Sequence, residues 1–196
     1  MLSSKFKKAV VIGASTGGIE ALENVFSRLP KEIPPMLLVV HMPAGFTKLY
    51  AARLEAMYKF SFKEAETGDE LVDGRVLIAP AGRHMQIVSS RGALTVDCFF
   101  GEKVQYVIPS ADVLFESAAK TLNANAIGVI LTGMGADGAR GLLKMKESGA
   151  QTIGQDRDTC VVYGMPKVAA ELGALTHVVP IVKVAEKIMS LVYGRD

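Results

Sequence analysis

A serine in a glycine-flanked turn, a histidine after an apolar run and an aspartate in a glycine-rich loop are the residues of this chain whose types and spacing suggest chemistry. Ser15 lies in "GASTGG" (13–18), directly after "AVVIG", and Gly13-Ala14-Ser15-Thr16-Gly17 fits G-x-S-x-G, a turn that presents a nucleophilic hydroxyl. His41 follows "MLLVV" (36–40), and Asp137 follows "AIGVILT" (126–132) across "GMGA". A serine hydroxyl is a poor nucleophile until a base takes its proton. Histidine can do so at neutral pH, and a carboxylate then fixes its tautomer and stabilises the imidazolium. The expected chemistry is acyl transfer.

Read from the residues alone, each member has a structural use: Ser15 as a turn or cap, His41 as a satisfied buried histidine, Asp137 as a helix cap. Asp156 in "IGQDRD" also follows a strand and competes as the partner of the histidine. His84 opens a hairpin strand and His177 lies near the last strand, so both are read as structural or solvent-facing. The glycines also admit a phosphate-cradling reading. Against it, the second strand ends in His41-Met42-Pro43 without the charged selector of a dinucleotide site. No Tyr-x-x-x-Lys pair occurs, and "GMGADGARG" lacks the Gly-Lys-Ser/Thr ending of a P-loop.

The elements that must position these residues alternate. Strands are expected at 9–13, 36–40, 60–65, 75–80, 84–90, 93–98, 126–132, 151–155 and 176–180. Helices are expected at 18–29, 46–58, 110–122, 138–148, 164–171 and 181–193. The runs 9–13, 36–40 and 126–132 are nearly all apolar and do not alternate, as in a parallel sheet buried on both faces. The fold class is therefore α/β: a doubly wound, mostly parallel sheet with helices on both faces. Residues 60–98 have short connections and more alternation, which predicts an added region of antiparallel hairpins, with "GDELVDG" (68–74) and "SSRGA" (89–93) as turns. In the second helix Phe46, Leu49, Tyr50, Leu54, Met57 and Tyr58 share one face, expected to be the buried one. Segment 99–109, "FFGEKVQYVIP", has no period and is expected to cross the surface near a site.

With 196 residues, 49% hydrophobic and 21% charged, the chain has ordinary globular composition and enough length for a sizeable core. A net charge of +2 without a basic stripe speaks against nucleic-acid binding. No apolar run approaches the ~20 residues of a membrane span. Cys98 and Cys160 are far apart and read as small hydrophobes in a reducing compartment, which makes the expected location cytoplasmic. No two histidines stand at ligand spacing, so neither metal nor cofactor is expected. "MLSSKFKKA" lacks a signal-peptide core. Residues 1–7 are taken as a lead-in or linker and 8–196 as one catalytic domain.

Six blocks in order, "IGASTGGIEAL" (12–22), "HMPAGFT" (41–47), "APAGRHM" (79–85), "PSADVLFESAA" (109–119), "LTGMGADGARG" (131–141) and "YGMPKVA" (163–169), resemble the catalytic domain of the CheB-type chemotaxis protein-glutamate methylesterases. The resemblance implies Ser15 as nucleophile, His41 as general base and acid, Asp137 rather than Asp156 as the orienting carboxylate, and the Met134 backbone N–H as an oxyanion donor. It implies methyl-ester hydrolysis at glutamates of the cytoplasmic domain of chemoreceptors, with deamidation of glutamines as a second activity. It also implies a regulatory receiver domain ahead of the esterase. Only a few residues precede the first strand here, so an excised fragment or a free-standing domain without phosphorylation control is expected.

Overall fold

The computed structural model describes residues 6–90 and 92–194. Its strands are β1 (Ala9–Ala14), β2 (Met36–Val40), β3 (Ser61–Glu64), β4 (Arg75–Ile78), β5 (His84–Ser90), β6 (Ala93–Phe99), β7 (Ala126–Ile130), β8 (Gln151–Gln155) and β9 (His177–Val179). Its helices are α1 (Gly18–Phe26), α2 (Phe46–Met57), α3 (Ala111–Leu122), α4 (Ala139–Glu147), α5 (Met165–Glu171) and α6 (Ile181–Tyr193). Seven strands form one sheet in the order β3-β4-β2-β1-β7-β8-β9, with every pairing parallel. β5 and β6 make a separate antiparallel pair.

The central strands β1, β2 and β7 are buried at every position because helices cover both faces. Successive residues point to opposite sides. Ala9, Val11, Leu37 and Val39 pack with α3, α4 and α5, while Val10, Ile12, Met36, Leu38 and Val40 pack with α1, α2 and α6. The hairpin belongs to the first of these layers. It is fastened to α3 where the Ile87 N–H donates to Ser117 Oγ at 2.8 Å.

Two expectations need correction. β3 and β4 are not a hairpin: they pair in parallel, Ser61 opposite Arg75, at the edge of the main sheet. The connection looked too short for a crossover. Residues 68–71 make it by running along the hairpin instead of forming a helix. The N–H groups of Gly68 and Leu71 donate to the carbonyls of Val96 and Leu94. In α2, Tyr50 and Leu54 are buried as expected, but Phe46, Leu49 and Met57 face solvent. The helix lies over the edge strand β3, so only a narrow stripe of it is covered.

Of the expected lead-in, residues 1–5 lie outside the described residues, as does Arg91 of the turn 89–93, whereas Phe6 is buried in the core. Among the described residues no helix is long and apolar enough to cross a membrane.

Candidate active site

In an open parallel sheet the strand order reverses at one point, and the crevice there lies outside the carboxyl ends of the strands. From β1 the chain first builds outward through β2, then returns to lay β7 on the other side of β1. Register decides what stands at that edge. Ala14 pairs with Val40, so Ser15 and His41 are the next residues on adjacent strands. The His41 N–H donates to the Ala14 carbonyl at 3.2 Å, and the Ser15 N–H to the Thr132 carbonyl at 3.0 Å. Ser15 is thus held between the ends of β2 and β7, and its carbonyl accepts from the Gly18 N–H at 2.7 Å as the chain turns into α1.

Asp137 comes from the loop between β7 and α4 and is 2% exposed. Its Oδ2 accepts from His41 Nε2 at 2.9 Å and from the Ala111 N–H at 2.7 Å. Its Oδ1 accepts from Ser110 Oγ at 2.5 Å and from the Asp112 N–H at 3.1 Å. Burial pushes this carboxyl upward. The bonds from His41, Ser110, Ala111 and Asp112 outweigh that and hold it below the usual carboxylate range. The anion also sits at the positive end of α3. With Nε2–H given to Asp137, the lone pair of His41 is on Nδ1. Such a ring can accept a proton there while the carboxylate steadies the charge that develops.

Asp156 is used elsewhere: its Oδ1 closes a local turn with the N–H and hydroxyl of Thr159. His177 pairs with Gln151 on the far strand. The competing acid at the strand ends is therefore not beside His41. Cys160 stands in the neighbouring loop, but burial and the nearby Asp156 push its thiol up to about 11, so it is not a thiolate at neutral pH.

Several supporting residues were not singled out from sequence. Ser110, inside "PSADVLFESAA", donates to Asp137. Thr132 ties three loops: its hydroxyl donates to the Thr16 carbonyl at 3.0 Å and accepts from the Val162 N–H at 2.9 Å. Buried Gln155 accepts from the Thr132 N–H at 2.8 Å. The place of Ser110 at the head of the expected helix 110–122 gives no sign that its hydroxyl turns to a carboxylate 27 residues further on.

Two glycines are needed for close approach. A Cβ on Gly13 would lie 2.8 Å from Ala111 Cβ, so glycine lets the start of α3 reach the end of β1. A Cβ on Gly133 would lie 2.7 Å from Ser15 Cβ and 2.4 Å from Met165 Sδ. Gly133→Ala is therefore expected to shift Ser15 or its loop and to lower kcat by up to ~10² while the fold is kept. Steady-state kinetics beside a thermal melt check this, and unchanged kcat would mean the loop absorbs the methyl group.

Segment 99–109 crosses the surface beside His41, as expected. With Met42 and Pro43, it walls an open hollow of about 420 Å³ through Lys103, Tyr106, Val107 and Ile108. Tyr106 on this wall is 91% exposed, and Met134 and Val161, in the loops that follow β7 and β8, are exposed apolar side chains as well. Among the described residues no group of three or more metal-ligating side chains gathers.

The chain is similar to known proteins along most of its length. The family model described as CheB methylesterase matches residues 10–188. A protein-glutamate methylesterase/protein-glutamine glutaminase from Syntrophotalea carbinolica is 46% identical over 194 residues, 99% of this chain and 55% of that protein. One of the same name from Sulfurimonas denitrificans is 48% identical over 194 residues, again 99% and 55%. The crystal structure of the Thermotoga maritima CheB methylesterase catalytic domain superimposes with a TM-score of 0.91 at 42% identity, covering 94% of this chain and 98% of that one. The chain spans about half the length of the curated relatives it matches.

Proposed function

This chain belongs to the CheB methylesterase family, and we propose that it hydrolyses γ-methyl esters of glutamate side chains on the cytoplasmic helices of chemoreceptors, releasing methanol. Ser15 is the nucleophile, His41 the general base and acid, and Asp137 the carboxylate that orients and charges against the imidazole. The observation that carries the reading is the His41–Asp137 bond of 2.9 Å at the strand edge where Ser15 is the next residue in register.

Nδ1 of His41 takes the Ser15 proton as Oγ attacks the ester carbonyl. The carbonyl oxygen becomes an oxyanion, met by backbone donors that include the Met134 N–H. One such donor typically supplies ~10²–10³ in rate. The imidazolium then gives its proton to the departing methoxide, so methanol leaves and a glutamyl ester of Ser15 remains. Water, deprotonated by the same nitrogen, attacks that ester and regenerates the serine. A glutamine amide follows the same course with ammonia as the leaving group. That makes protonation of the leaving nitrogen the harder step. Exposed apolar side chains at Met134, Val161 and Tyr106, the last on the wall of the open hollow beside His41, suit a side chain presented on a protein surface better than a free small molecule.

Incubation with a methylated receptor fragment tests this. Methanol is expected to appear in step with loss of γ-methyl glutamate. Turnover of p-nitrophenyl acetate without methanol from the receptor would instead indicate a hydrolase of small esters.

A further inference from the structure

Of the two sequence expectations for His84, structural or solvent-facing, the structure shows the first: it is 2% exposed. Its ring nitrogens are both engaged, with opposite polarity. Nδ1 accepts from the Ser110 N–H at 3.2 Å, and Nε2 lies 2.9 Å from the Glu102 carbonyl. A backbone N–H can only donate and a carbonyl can only accept. The ring is therefore the neutral Nε2–H tautomer, and its two bonds cannot be exchanged.

The two partners lead to different parts of the site. Ser110 is the residue whose hydroxyl donates to Asp137 at 2.5 Å. Glu102 belongs to the strap of residues 100–108, which walls the hollow beside His41 and carries exposed Tyr106. The strap rests on the ring, since a Cβ on Gly101 would lie 3.2 Å from His84 Cδ2. A second anchor stands next in sequence, where the Arg83 guanidinium lies 4.5 Å from the centre of the Phe100 ring. Val104 and Val107 pair across the strap's own turn.

We propose that His84 is a positioning residue that joins the strap to the triad carboxylate, setting Ser110 against Asp137 through Nδ1 and holding the 100–108 strap over the hollow through Nε2–H. This rests on the reading of Ser15, His41 and Asp137 as the reacting group. A ring that merely filled space would leave both bonds dispensable.

Two conservative variants separate the bonds. His84→Asn offers an amide oxygen near the place of Nδ1 and loses the strap anchor. His84→Gln offers an amide N–H near the place of Nε2 and loses the acceptor for Ser110. With methylated receptor fragment, His84→Asn is expected to keep kcat within about twofold and raise KM by about tenfold. His84→Gln is expected to keep KM and lower kcat by ~10- to 100-fold, the scale of a small misplacement of a reacting group. His84→Ala should show both losses. Amide hydrogen exchange on the same proteins should show lost protection in 100–108 for His84→Asn and at Ser110–Asp112 for His84→Gln. Identical kinetic and exchange changes in the two variants, or none, would overturn the inference. Wild-type protein inactive on both receptor and p-nitrophenyl acetate would remove the triad reading instead, and the joining role would then be decided by the exchange pattern alone.

Discussion

Ser15→Ala is expected to fold like the wild type and to lose turnover by on the order of 10⁶, the scale found when a serine triad loses its nucleophile. The two effects separate because the local architecture at Ser15 is made of main chain. The Ser15 N–H bond to Thr132 and the Gly18 N–H bond to the Ser15 carbonyl both survive removal of the hydroxyl. Truncation of one oxygen at a half-buried turn should change stability by no more than ~0.5 kcal/mol. A backbone oxyanion site would remain, so activity above water alone is still expected. Methanol release at matched protein concentration, with a thermal melt, decides the matter. A variant retaining more than a small fraction of wild-type turnover would displace Ser15 from the role.

Asp137→Asn is expected to damage both rate and stability. Each carboxylate oxygen accepts from one backbone N–H of α3, Oδ2 from Ala111 and Oδ1 from Asp112. Whichever way an asparagine is turned, its amide N–H₂ meets one of those donors. The buried clash costs about 1–3 kcal/mol. The better orientation turns the amide toward Asp112, where the distance is longer and Ser110 can reverse its hydroxyl. His41 then keeps its tautomer but loses the opposing charge, a loss of ~10²–10³ in kcat. The other orientation reverses the tautomer as well and costs ~10⁴.

The same variant carries a pH signature. The folded carboxyl lies below its ordinary value, so its stabilisation is complete above the unfolded pKa of about 3.9 and is lost as pH falls through the folded one. The stability gap between wild type and Asp137→Asn should therefore be constant near neutrality and close only below about pH 4. Denaturant melts from pH 7 to pH 3 check this. A gap that widens on acidification would mean the carboxyl is raised instead.

Much of this was legible in the residues. Fully apolar β1, β2 and β7 announced a sheet covered on both sides, and the residues following them supplied the serine, the histidine and the loop that carries the aspartate. What escaped has a common cause: it depends on contacts between distant segments. A short connection said hairpin between β3 and β4, because nothing local reveals that residues 68–71 run along β6. The apolar period of α2 was real, yet Phe46 and Leu49 face solvent because the edge strand offers too little surface to cover them. Residue spacing alone did not exclude Asp156 in place of Asp137. The difference is that one lies at the start of α3 against His41 and the other closes its own turn. His84 gave no signal at all, since its meaning lies in two backbone groups brought to it by the strap and by α3.

The central claim is that the Ser15 hydroxyl is made nucleophilic by His41. Reaction of the whole protein with a fluorophosphonate, followed by peptide mass mapping, tests it most directly, because the serine oxygen must itself displace fluoride. The expected result is a single adduct on the peptide bearing Ser15, absent in Ser15→Ala and formed at least ~10³-fold more slowly in His41→Gln. An adduct at another residue, or labelling of Ser15 at the wild-type rate without the imidazole, would contradict the account.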